Sequence, residues 1–180
     1  MKELFSGRIV FDFIQAKQRE IAACADEEPM SVFGPALAGH IQGLADRFKA
    51  NVPKLKAALK PEVTDEGARG ATVRITVPFV GDGALFEMHP SQRTSHMPAP
   101  EVKAGALVFT YPTRDKNPAP IRAEFDAAIK MVEEALRQLE IDLHHYNGAV
   151  QASVESAFTK REAQLRATDE LAKGLDFGKK

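Results

Sequence analysis

The chain has 180 residues, 24 Lys and Arg against 25 Asp and Glu, a formal charge of −1 and 44% hydrophobic residues. That length buries a core without metals or disulfides, a near-zero charge supplies no field for nucleic acid or anionic lipid, and a single cysteine, Cys24, excludes an internal disulfide framework and a cysteine-based zinc site. No apolar run approaches the roughly 18 residues of a membrane span, and Asp12 interrupts the apolar N-terminal stretch, so the chain reads as soluble and cytoplasmic, without a signal peptide.

Residues 8 to 25 carry Ile9, Val10, Phe13, Ile14, Ile21 and Cys24 in steps dominated by three and four, the pattern of an amphipathic helix. Ile9, Phe11 and Phe13 also alternate, so a short strand is the competing reading. A second helix is expected from Pro35, with Gly34 as its N-cap and Leu37, Ile41, Leu44 and Phe48 as its buried stripe. Pro53 cannot continue it. Residues 53 to 60 suggest a short third helix with Leu55, Ala58 and Leu59 inward, stopped by Pro61. The polar stretch from Glu62 to Gly70 reads as loop.

The period then changes. Val73, Ile75, Val77 and Phe79 alternate with Thr72, Arg74, Thr76 and Pro78, the signature of a half-buried antiparallel strand. Pro78 has no N–H to donate, which places that strand end at an edge or bulge. Gly81-Asp82-Gly83 supplies a hairpin turn. Residues 84 to 89 and 105 to 111 are expected as two further strands, and three strands make a small meander whose apolar face needs a cover. The intervening segment from 90 to 103 is a long proline-bearing loop.

The last third opens with Asn117 as N-cap and Pro118 as first helical residue. Phe125, Val132, Leu139 and Tyr146 recur every seven residues, with Ile129, Leu136, Leu143 and Val150 beside them, forming a coiled-coil-like seam. Asp126 to Lys130 and Glu133 to Arg137 are acid-before-base pairs four apart on the outer face. Beyond Val150 the apolar positions step to Val154, Phe158 and Leu165, a stutter. Asn147-Gly148 stands at that point, and glycine inside a helix costs about 1 kcal/mol against alanine. Either one helix of roughly 80 Å runs through, or the chain folds back as a hairpin. The expected fold class is α+β: a helical N-terminal part, a three-stranded antiparallel meander and a long C-terminal helix or helical hairpin. Residues 1–117 would form the body and 118–180 the helical segment.

Candidate chemistry is sparse. His144 and His145 are adjacent and point about 100° apart on a helix, and Asp142 with His145 supplies only one of the paired motifs a di-iron bundle needs. His89, Arg93 and His96 could hold an anionic ligand on the long loop, against the simpler reading of a solvated loop. His40 and Cys24 read as core-edge residues. Asp82 or Glu87 with Glu101-Val102-Lys103 resembles the Asp…Glu-x-Lys arrangement of metal-dependent nucleases, but Glu101 precedes a strand instead of lying on one. No cofactor is expected and no catalytic residue can be assigned.

Three segments carry a family resemblance: Val73-Arg-Ile-Thr-Val-Pro-Phe-Val-Gly-Asp-Gly-Ala-Leu-Phe-Glu-Met-His-Pro-Ser91; the helix from Glu124-Phe125-Asp126 to Tyr146-Asn147; and Phe158-Thr-Lys-Arg-Glu-Ala-Gln-Leu165. Together they resemble the N-terminal module of large bacterial proteins that carry TIR-like or nuclease-like effector domains associated with defence. The resemblance implies an interaction or sensing module and carries over no active-site residue. It departs from the pattern at Lys180, where an effector would begin. The expected function is a non-enzymatic interaction module acting on a protein partner or a second copy through the seam of Phe125, Ile129, Val132, Leu136, Leu139, Leu143, Tyr146 and Val150. The alternatives are a monomer that buries the seam itself, and a metal-dependent nuclease or small-ligand domain using residues 81–103.

Overall fold

A computed structural model describes residues 3–67, 70–92, 97–114 and 117–175. Helix α1 spans Val10–Asp26 and α2 Leu37–Phe48; strands β1 (Lys54–Leu55), β2 (Glu62–Asp65), β3 (Ala71–Val80), β4 (Glu101–Lys103) and β5 (Ala106–Thr113) follow, and α3 runs from Pro118 to Gly174. The fold is α+β, with one small antiparallel sheet and a long C-terminal helix. Two compact units divide it. One holds residues 1–10 and 50–144, the other 11–49 and 145–180. Among the described residues no helix is long and apolar enough to cross a membrane.

In the first unit the alternation of β3 becomes a sheet face. Val73 lies opposite Tyr111, Ile75 opposite Phe109 and Val77 opposite Leu107 in the β3–β5 ladder. β4 extends the sheet beyond β5. β1 and β2 both pair with β3 on its other side. From Leu55 to Glu62 this edge advances seven residues while β3 retreats five, from Phe79 to Arg74. The two surplus residues are a bulge, and it sits where Lys56 and Leu59 donate to the carbonyls of Pro78 and Thr76. The sheet thus has five strands rather than three.

Three local expectations are corrected by this edge and its surroundings. Residues 53–60 are not helical: Lys54–Leu55 is a strand, and Lys56 and Leu59 donate to β3 carbonyls, partners that outcompete a short helix, which is marginal on its own. Residues 62–65 are a strand, not a loop, although all four side chains are exposed. Residues 84–89 form no strand: Gly83–Glu87 is a 3-10 turn, capped by the Asp82 carboxylate on the Ala84 N–H. Leu85, Phe86 and Met88 are all buried, and an adjacent pair plus a step of three fits a 3-10 period, not alternation. Gly81, at φ +115°, makes the corner leading in, and a Cβ there would meet three backbone atoms at 2.9 Å. Phe86 packs edge-on against Phe79, with Phe5 beside it. The N-terminal strap holds to this turn through Phe5 N–H to Phe86 and Gly7 N–H to Glu87 carbonyls.

In the second unit α1 is helical throughout, as its three-and-four spacing indicates. α2 opens at Leu37, two residues later than Pro35, and buries Leu44, Ala45 and Phe48. α3 closes over them. The Tyr146 ring meets Phe13 edge-on, its hydroxyl donates to the Phe48 carbonyl at 2.8 Å, and Phe158 packs against Phe33 and His40.

The Asn117 carboxamide caps α3 by accepting from the Ala119 N–H. The helix runs unbroken through Asn147-Gly148. On its outer face Arg137 pairs with Glu134, three residues back, rather than with Glu133.

Candidate functional site

The eight seam residues fall in two groups. Val132, Leu136, Leu139, Leu143, Tyr146 and Val150 are buried within the chain, as are Val154 and Phe158. Their heptad spacing serves the core, so they are not a surface offered to a partner. Phe125 and Ile129 are half-buried. Phe125 stands perpendicular to Phe109 with ring centroids 5.4 Å apart, which fixes the first turns of α3 over β5.

That placement leaves the sheet incompletely covered. The sheet's outer strands lie about 14 Å apart across three ladder spacings, whereas a single helix is about 10 Å wide. On the β2 side the uncovered face is a groove of about 1220 Å³. Its floor is Ala71, Val73 and Ile75 of β3; one wall is Pro118, Ile121 and Phe125 of α3; the other is Leu59, Pro61 and Val63 on the bulged edge. Leu59 is 55% and Val63 66% exposed. Lys60, Asp65, Arg122 and Asp126 are the charged residues of the lining, two cations and two anions around an apolar trough. The volume exceeds the usual range of small-ligand pockets, about 300–1,000 Å³. A sequence reading misses this site because it places Leu59 inside a helix and Val63 in a loop. Only the unexplained apolar residue at 63, between Glu62 and Thr64, hints at it.

Of the three residues expected to form a ligand loop, only His89 is among the described residues. His89 is half-buried and its Nδ1 lies 2.7 Å from the Pro90 carbonyl. Arg93 and His96 lie outside the described residues. Beside His89, the Ser91 N–H and hydroxyl both donate to Asp142, each at 2.7 Å, and the buried Gln138 amide donates to the same carboxylate and to Ser91. Burial raises the Asp142 carboxyl, but the hydrogen bonds from Ser91 and Gln138 outweigh it and hold the group below its ordinary value. Such a carboxylate anchors Ser91 and is a poor proton acceptor. His144 and His145 are exposed on α3.

Of the nuclease-like arrangement, Glu87 and Glu101 line one small pocket together with Glu3, whereas Asp82 and Lys103 do not line it. Glu101 and Lys103 are exposed on β4 and pair with each other at 3.3 Å. The Asp82 carboxylate accepts from the Ala84 N–H in its own turn, and Glu87 is exposed. Among the described residues, no three His, Cys, Asp or Glu gather as a metal site. His40 contacts Glu28 at 3.0 Å and the Phe158 ring edge, and Cys24 is half-buried on α1.

No protein-family model, curated protein or solved structure matches the chain.

Proposed function

We propose that this protein is a non-enzymatic interaction module that receives an amphipathic helix in the groove between α3 and the β2 edge. The groove is the single observation that carries this reading. It is floored by a sheet, walled on one side by a helix, and open where a two-layer α/β arrangement would place another helix. A helix laid in such a trough buries its apolar face and leaves its polar face in water. The resemblance to the N-terminal modules of bacterial effector-bearing proteins supports the same division of labour, binding here and action elsewhere, in a cytoplasmic, defence-related setting.

A displayed library of amphipathic helical peptides tests the proposal. Enriched peptides should bind the wild-type chain and bind Val63→Asp at least tenfold more weakly, because a carboxylate would then sit in the apolar trough. Enrichment that is indifferent to Val63→Asp and to Leu59→Asp would overturn it. Both residues are exposed, so either substitution leaves the fold intact.

A further inference from the structure

The far edge of the sheet, away from the groove, carries a second opening. Among the described residues the only sheet neighbour of β4 is β5, and all three residues of β4 are exposed. The ladder decides which of its backbone groups are already used. The Phe79 N–H donates to the Gly105 carbonyl, so the odd-numbered residues of this run bond towards β3 and the even-numbered ones towards β4. Ala106 lies opposite Lys103 and Val108 opposite Glu101. Those two pairs carry the β4–β5 hydrogen bonds, and the N–H and C=O of Val102, between them, point away from the sheet. An outward pair on an exposed strand is a template for one more strand.

Beside that edge lies a cavity of about 270 Å³. That is the size of a side-chain site, below the usual range for whole small ligands, about 300–1,000 Å³. Its apolar lining is Leu4, Phe86 and Pro100, all buried, with Val102 43% exposed on the strand. The N-terminal strap holds Leu4 there through its N–H on the Pro98 carbonyl at 3.1 Å. Every charged residue of the lining is acidic: Glu3, Glu87 and Glu101, each exposed. The groove on the other edge sets two cations against two anions, whereas this cavity has three carboxylates and no cation in its lining. Lys103 pairs with Glu101 along the strand at 3.3 Å, an exposed pair that contributes little and yields to an incoming cation. Buried apolar walls under an acidic rim suit a side chain with an aliphatic stem and a cationic head, as in lysine and arginine.

We propose that β4 takes up an extended segment of a partner protein, paired to the sheet at Val102 and placing a lysine or arginine side chain in the cavity rimmed by Glu3, Glu87 and Glu101. In such sites main-chain hydrogen bonds to the sheet edge give affinity and the adjoining pocket gives specificity. The cavity shares no lining residue with the groove, so each site stands or falls without the other.

A library of short blocked peptides of extended, valine- and threonine-rich sequence with a fixed central lysine tests this on the full chain. Norleucine at the centre keeps the stem and removes the charge; glutamate reverses the charge. The lysine library should yield binders by fluorescence anisotropy. Norleucine in their place should weaken binding about tenfold, and glutamate should abolish it. Glu3→Gln and Glu101→Gln, both at exposed positions, should each weaken the lysine peptides about threefold with unchanged circular dichroism, while Val63→Asp should have no effect. Amide exchange reads the added strand: the Val102 N–H should exchange rapidly in the free protein and about tenfold more slowly with peptide bound. No binder from the lysine library, equal affinity for the lysine and norleucine forms, indifference to both glutamine variants, or an unchanged Val102 exchange rate overturns the proposal.

Discussion

The Tyr146 hydroxyl reaches across the second unit to the backbone carbonyl of Phe48, 98 positions earlier, and donates to it at 2.8 Å. Phe48 ends α2, where the last carbonyls of a helix lack intrahelical donors. The side chain of one helix therefore completes the terminus of another. Tyr146→Phe keeps the ring against Phe13 and removes the hydrogen bond alone. A loss of about 1 kcal/mol in urea unfolding is expected.

Both tyrosines of the chain titrate late. Burial, reinforced by the negative charge of Glu20, pushes the Tyr146 phenol up to about 12, and burial with Glu124 does the same for Tyr111. The folded state holds each proton more tightly than the unfolded chain, whose tyrosines ionise near 10. The resulting stabilisation is complete below about pH 10 and disappears as pH rises through about 12. Phenolate absorbance should remain low at pH 11 in the native protein and appear there on adding denaturant. Half-ionisation near 10 in the native state would contradict this environment.

Asp142 gives the opposite dependence. Its folded-state value lies below the ordinary 3.8, so its contribution is present above that value and is lost as pH falls through the lowered one. Asp142→Ala leaves the Ser91 N–H and the Gln138 amide without this acceptor and should cost about 1–3 kcal/mol at neutral pH. The difference between wild type and variant should shrink towards pH 2. Parallel stability curves over that range would exclude a role for the ionised carboxylate.

Gly70 enters β3 at φ +105°, and a Cβ there would lie 2.1 Å from the Thr113 carbonyl oxygen. Gly70→Ala must shift this corner of the sheet. A destabilisation of about 1–3 kcal/mol is expected, read as a lowered denaturation midpoint; an unchanged midpoint would contradict it.

The two stretches of α3 should respond differently to the same chemistry. Leu139 is completely buried, and Leu139→Ala should cost about 2–5 kcal/mol through lost burial and the cavity left behind. Leu171→Ala removes an equal volume from an exposed site and should stay within about 0.5 kcal/mol.

Much of the architecture is legible in residue spacing. The steps of Leu37, Ile41, Leu44 and Phe48 define α2, and the alternation from Thr72 to Phe79 defines β3. Asn117-Pro118 marks the start of α3 through cap chemistry. These features are local: helix and strand periods act between neighbours, and a cap needs only adjacent residues. The heptads of α3 announce a stripe that must be covered but not by what. A seam that closes on its own chain and one that closes on another have the same spacing.

What tertiary structure alone decided is everything that depends on a distant donor or wall. The edge strands Lys54–Leu55 and Glu62–Asp65 form because β3 pairs with them, and no local pattern of exposed, short segments encodes that pairing. Ser91 meets Asp142 across 51 positions, and the groove exists because one helix is narrower than the sheet it covers. The sequence by itself determined the three helices, the strands β3 and β5 and the α+β class, since periodicity and capping are near-neighbour physics. Where those elements leave apolar surface open is set by long-range packing, which no run of residues displays.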